Sequence, residues 1–201
     1  MKKILYLSIG LLCFLSLLLT IFESTLFFFH SPFGLEIIYP KAHSATWIYL
    51  LKQKYISFIE LDIFNIYEKR HLLDVKRVFE RLHTLWMVIL TISLFSLLFL
   101  YLKDKKGFFL VLKQSFYLNY LFIIISIVLA SNFLNIFELL HQLLFLHQSW
   151  IFPPNSILIK WFPLVYFQQF LGIILFCHFL IILLFYKIKR ANSSLKKKLL
   201  F

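Results

Sequence analysis

Leu85-Trp-Met-Val-Ile-Leu-Thr-Ile-Ser-Leu-Phe-Ser-Leu-Leu-Phe-Leu-Tyr-Leu102 runs through the middle of the chain without one charged residue. As a helix it reaches about 27 Å, close to the ~30 Å hydrocarbon core of a bilayer. Inside that core no water is present to satisfy backbone groups, so a crossing segment must bond within itself as a helix. Three further blocks of the same kind span residues 4–29, 116–137 and 164–186. They explain why 61% of the 201 residues are hydrophobic and 20% aromatic, where a soluble domain is about half apolar. The expected fold is an all-α membrane protein. Residues 1–201 form one membrane domain with four transmembrane helices, and residues 30–84 and 138–163 lie on the extracytoplasmic side.

The first block opens with Met1-Lys2-Lys3, as a signal peptide would. Its apolar run is longer than a signal peptide needs, and no small-x-small site follows, so it is expected to stay as a helix. The net charge of +12 suggests nucleic acid until the charges are located. Lys2, Lys3, Lys103, Lys105, Lys106, Lys113, Lys187, Lys189, Arg190 and Lys196 to Lys198 all flank hydrophobic blocks. Threading four helices puts them on one side, which is the positive-inside pattern with both termini cytoplasmic. A nucleic-acid partner would need a continuous basic face on a soluble domain, so none is expected. Membrane lipid is, because the Lys196-Lys197-Lys198 tail suits anionic headgroups. Cys13 and Cys177 each sit within an apolar block. Membrane enzymes that make disulfides need outward-facing dithiols, so that class is excluded.

The outward segment 30–84 begins with the turn-forming Ser31-Pro32-Phe33-Gly34 and passes Tyr39-Pro40. Its second half places Leu72, Val75, Phe79, Leu82 and Trp86 at helical spacing, with Lys69, Arg70, Lys76, Arg77 and Arg81 on the opposite face. That predicts an amphipathic helix lying at the outer surface and leading into the second crossing. The segment 138–163 is an aromatic-rich loop with Trp150, Phe152, Trp161 and Phe162, broken by Pro153-Pro154.

His30, His43, His71, His83, His141 and His147 all fall in these outward segments, and His178 alone lies in an apolar block. Histidine exchanges protons near neutral pH, although an interfacial histidine often only caps or solvates. Two units stand out. In Glu68-Lys-Arg-His71-Leu-Leu-Asp74-Val75 a helix makes neighbours of Glu68, His71 and Asp74. A carboxylate beside an imidazole fixes its tautomer and raises its basicity; the plain alternative is an ordinary surface pair. In Glu138-Leu-Leu-His141-Gln142 a carboxylate and an imidazole stand where the third membrane block ends, a position that is costly without a partner or a cavity. The repeated Glu-x-x-His is also half of a di-metal carboxylate site. Glu23 and Glu36 are poorly placed to complete it, so neither metal nor cofactor is expected. With no Gly-x-Ser-x-Gly elbow and no outward cysteine, an enzyme of this kind would work by histidine acid–base chemistry.

These two units resemble those of the lipoprotein intramolecular transacylase (Lit) family of bacterial membrane proteins. Glu68-Lys-Arg-His71-Leu-Leu-Asp74-Val75-Lys76 is similar to that family's Glu-x-x-His-(Met/Leu)-x-Asp-Val-(Lys/Arg). His141-Gln-Leu-Leu-Phe145, Trp150, Pro153, Leu158-Ile159 and Pro163-x-x-Tyr166-Phe167 follow the order of its second series. Ser156 stands where an acid is common and Leu164 where a glutamate is. The resemblance implies an enzyme that moves the sn-2 acyl chain of a lipoprotein's diacylglyceryl-cysteine onto the amino group of that cysteine. Diacylated bacterial lipoproteins are then the partners. His71 and His141 are the expected acid–base pair, their division of roles open, with Asp74 orienting His71. Glu68, Arg70, Tyr39, Glu138 and Trp150 are expected to bind the substrate. A non-enzymatic membrane scaffold or chaperone is the competing class. A transporter would show polar or broken membrane helices, and these blocks carry few such features.

Overall fold

The computed structural model describes residues 2–51, 62–145 and 149–198, with side chains up to residue 187. His147 and the stretch 52–61 lie outside the described residues. The described chain is helical: α1 (Lys2–Phe28), α2 (Pro40–Leu50), α3 (Ile66–Lys103), α4 (Lys105–Ala130), α5 (Phe133–Leu144), α6 (Ile157–Trp161) and α7 (Leu164–Lys198). Four stretches are long and apolar enough to cross a membrane, namely α1, α3, α4 and Ile157–Lys187. On α3 and α4 they expose Leu94, Phe95, Phe99, Ile124, Ile127 and Val128, side chains suited to lipid.

α1 packs against α3, α4 and α7. Near its start Ile9 and Cys13 meet Leu100 and Val111 in a small core. Gly10 permits the close passage of α4, since a Cβ there would come within 3.0 Å of Gln114. The Tyr6 hydroxyl donates to Asp104, which caps α4 by accepting from the Gly107 N–H at 2.9 Å. These ties gather the start of α1 and the α3–α4 junction at one end with their lysines. Deeper in the bundle, buried His178 on α7 bonds Asn119 on α4 through Nδ1 and its backbone carbonyl, a pairing that lowers the cost of two polar residues within membrane helices.

The opposite end is a cap built on a second, larger core of Leu26, Phe29, Trp47, Leu50, Leu72 and Trp161, among others. Its loops are pinned by ring and hydroxyl donors. Trp161 donates to the Ile38 carbonyl at 2.8 Å, Trp47 to that of His30 at 2.9 Å and Tyr166 to that of Phe29 at 3.0 Å. Gly34 makes the turn after α1 with φ 79°, a conformation open to glycine at little cost.

Two sequence expectations change. The amphipathic segment and the second crossing are one unbroken helix of 38 residues, about 57 Å long. That is far more than a bilayer needs, so the charge-free 85–102 part crosses and the first turns of α3 rise into the cap. The third block also shifts: α4 starts at Lys105, stops at Ala130, and a turn at Ser131–Asn132 separates it from α5. The expected 116–137 crossing ran through that break because its residues are apolar on both sides of it.

Candidate active site

The start of α3 sets the first histidine. Asn65 accepts from the Glu68 N–H at 2.9 Å, and Glu68 accepts from the Asn65 N–H at 2.9 Å, a capping box. It satisfies two otherwise orphaned donors and fixes where the helix begins. Two turns in, Leu72 is buried in the cap core, and His71 beside it turns toward α5 and the loop that follows. Its ring meets Phe145 edge-on at 4.8 Å and Phe152 at 5.4 Å. Nδ1 of His71 is enclosed and has no hydrogen-bond partner among the described residues.

The second histidine closes α5. Phe137, His141 and Phe145 are four residues apart, so one helix face carries all three. The His141 ring lies 4.0 Å from Phe137, 5.4 Å from Phe145, 5.0 Å from Trp150 and 6.3 Å from Phe167. Phe145 therefore touches both imidazoles, and its two ring separations limit theirs to about 10 Å. His141 Nδ1 is 2.8 Å from the Phe137 carbonyl. A carbonyl can only accept, so Nδ1 carries the proton and the lone pair of the neutral ring lies on Nε2.

Both imidazoles are held neutral. Burial among rings, and then the closeness of His141, pull His71 down to about 4. Burial lowers His141 too, against the opposing pull of the Phe137 carbonyl. An apolar wall disfavours the charged form, and a second cation nearby disfavours it further. The result is two uncharged proton-exchanging groups that share one ring neighbour, Phe145.

The other expected site residues are distributed differently. Trp150 is in the box, against His141. Asp74 sits one turn above His71 but faces Arg77 at 3.5 Å, so the expected orienting bond to His71 is not made. His71 points into the cap, whereas Asp74 is turned toward the partly exposed flank where Arg77 reaches it. Glu68 is 3% exposed. Besides the capping box it accepts from the Ser156 hydroxyl at 2.5 Å and the Ile157 N–H at 3.2 Å. Its oxygens thus fasten the start of α3 to the start of α6, and no described contact joins its carboxylate to either histidine. Arg70 and Glu138 are exposed. Tyr39 is exposed too, in a left-handed conformation with φ 55° before Pro40, and no described contact joins its side chain to either histidine. Among the described residues no three His, Cys, Asp or Glu side chains gather as metal ligands would.

Of the box walls, Phe152 and Phe167 fall in the aromatic loop and the family-like series read from sequence, while Phe137 does not. The four-residue spacing of Phe137, His141 and Phe145 was the available signal for Phe137. A second histidine pair was also passed over. His30 stacks on Trp47 at 4.6 Å, and buried His43 Nε2 lies 3.3 Å from the Trp47 N–H. Burial lowers the pKa of each, and His30 adds to the effect on His43. This pair braces α2 against the loop after α1.

The solved membrane-integral lipoprotein intramolecular transacylase Lit from Bacillus cereus superposes with a TM-score of 0.77 over 98% of each chain at 19% sequence identity. That likeness is one of fold. A search of curated sequences finds no match. The family model for the lipoprotein intramolecular transacylase Lit matches residues 4–167, most of the chain. The chain belongs to the lipoprotein intramolecular transacylase Lit family, membrane-integral acyltransferases.

Proposed function

We propose that the protein transfers the sn-2 acyl chain of a lipoprotein's diacylglyceryl-cysteine to the α-amino group of the same cysteine, with His71 and His141 as the working side chains. The observation that carries this reading is the pair of neutral imidazoles sharing Phe145 inside an aromatic box. In the reaction the amine nitrogen attacks the sn-2 ester carbonyl. A C–N bond forms and the bond from the acyl carbon to the glyceryl oxygen breaks. His141, with its lone pair on Nε2, takes the proton from the attacking nitrogen and returns it to the departing alkoxide, so the ring ends as it began. His71, uncharged, offers an N–H to the oxyanion of the tetrahedral intermediate. Nucleophile and ester belong to one molecule, so holding them together supplies the effective concentration that a second substrate would otherwise have to bring.

The positive-inside pattern supports cytoplasmic termini in a bacterial cytoplasmic membrane, with the cap outside. A diacylated lipoprotein anchored in the outer leaflet would then present its ester and amine at cap level.

The test is co-expression with one lipoprotein, followed by mass and amine reactivity of its N-terminal peptide. The protein should convert the diacylated form to the N-acyl lyso form. His71→Ala and His141→Ala should each cut conversion at least about a hundredfold, the usual scale of lost acid–base or oxyanion assistance, while accumulating normally in the membrane. Full conversion by both variants would remove the assignment.

A further inference from the structure

The first crossing carries a carboxylate that the acyl-transfer chemistry does not use. Glu23 belongs to the last part of α1, and its side chain is 16% exposed. An ionisable side chain inside a membrane helix is expensive and points to a function. Its Oε2 lies 3.3 Å from Nδ1 of His83 on α3. Its Oε1 is enclosed without a hydrogen-bond partner among the described residues. The pair borders a cavity of about 480 Å³ between the ends of α1 and α2 and the middle of α3. Phe27, Leu50, Phe79 and Trp86 form apolar walls, while Glu23, Glu80 and His83 give it one polar side. His83 comes twelve residues after His71 on α3, about 18 Å along the axis, so this cavity is separate from the imidazole box.

The enclosed Oε1 of Glu23 lacks a donor, so the polar side favours a ligand that brings N–H or O–H groups to a carboxylate. The volume is that of an organic ligand, and a bare ion would leave the apolar walls idle. We propose that this cavity binds the primary ammonium head of an acylated amphiphile, with Glu23 as its hydrogen-bonding anion and the aromatic walls holding the adjoining chain. An ammonium presents several N–H donors at a compact charge, which suits an enclosed carboxylate oxygen lacking a donor. Two amphiphiles carry this head: a lipid with an ethanolamine headgroup, and a lipoprotein whose N-terminal amine is still free. Only the second rests on the acyl-transfer reading. It would make the site a holding place for substrate and not for product, because transfer turns the amine into an uncharged amide.

The test uses the full-length protein in phosphatidylglycerol nanodiscs doped with phosphatidylethanolamine or its N-acetylated derivative, with retained lipid read by native mass spectrometry. The free amine should be retained about tenfold better, the ratio one charge-assisted hydrogen bond supports. Glu23→Gln should bring the two to parity. Ser24→Trp, which fills the cavity and leaves the carboxylate in place, should do the same and guards against a folding defect in the first variant. A second arm uses a synthetic diacylglyceryl-cysteine peptide and its N-acetyl form, in a His71→Ala and His141→Ala background that stops turnover. A response to Glu23→Gln in the lipid arm alone assigns the site to headgroups, in the peptide arm alone to lipoprotein amines, and in both to the shared ammonium. If neither arm responds to either variant, the proposal is overturned. Acyl transfer, read by product mass, is left untouched.

Discussion

Glu68→Gln puts an NH2 group where three donors already point. The Asn65 N–H, the Ser156 hydroxyl and the Ile157 N–H converge on the carboxylate at 2.9, 2.5 and 3.2 Å, in a residue 3% exposed. Whichever way the amide turns, one of its own donors meets another donor, and the charge that strengthened all three bonds is gone. A hydrogen bond to a charged group contributes about 1.5–3 kcal/mol net, and a buried donor left unpaired costs about 1–3 kcal/mol. The Ser156 hydroxyl can rotate to become an acceptor, which spares part of that cost. A loss of about 2–3 kcal/mol is therefore expected, or roughly 4–10 °C in Tm for a chain of this size. Ser156→Ala removes one bond of the same set, about 2 kcal/mol. The two changes share an interaction, so the double variant should fall short of their total by about 1 kcal/mol or more. Thermal unfolding in one detergent measures the shifts, alongside KM for a diacylated lipoprotein peptide. An unchanged Tm with KM raised about tenfold would restore Glu68 to substrate binding and refute the pin.

The pH profile follows from the lowered pKa values. His71 is drawn down to about 4 and His141 below its ordinary value, so both are neutral at pH 7; as pH falls, His141 is protonated below the ordinary histidine value and His71 only near pH 4. The substrate α-amine titrates near 7.7–8.0, so kcat/KM should climb through about pH 8, with any histidine inflection lying below the ordinary value of about 6.5; an inflection above 6.5 would mean the box is wet. Cysteines introduced at Ser44 and Ser194 should react with an impermeant reagent from opposite sides of the membrane, and labelling from one side would break the topology. Asp74→Asn should cost less than about tenfold in kcat/KM, because Asp74 meets Arg77 and not His71. Lost orientation of a catalytic imidazole costs far more, so a drop of a thousandfold would reinstate Asp74.

The crossings were legible because hydrocarbon thickness imposes a length and excludes charge, and both are visible along one stretch of chain. What interrupts a helix is less visible. No proline or glycine separates Tyr67 from Lys103, so α3 continues where composition changes from amphipathic to apolar. The α4–α5 break falls instead at Ser131–Asn132, within an apolar run. The histidines of the site were legible as residue types at a membrane edge, and their convergence on Phe145 became visible only once α5 was placed beside the start of α3. Glu68 and Asp74 show the limit of reading neighbours. Helical spacing makes both candidates to serve His71, yet Glu68 finds its strongest partner 88 positions away in Ser156. The distant donor decides the carboxylate's role, and no local pattern announces it.

The same pin depends on the hydroxyl at position 156. A carboxylate there in place of the serine hydroxyl would face Glu68 across 2.5 Å, where two like charges can coexist only by sharing a proton or taking up a cation. With serine, one neutral donor satisfies Glu68, and the loop that carries Trp150 and Phe152 is fastened without adding charge to the cap. That matters for the imidazole box, since an uncompensated carboxylate nearby would raise the pKa of both histidines and favour their protonated forms. In the proposed reaction the transfer needs a base with a free lone pair and little competing water, and the aromatic walls around His71 and His141 would serve both conditions by one means, withholding the solvent that would protonate the rings and hydrolyse the ester.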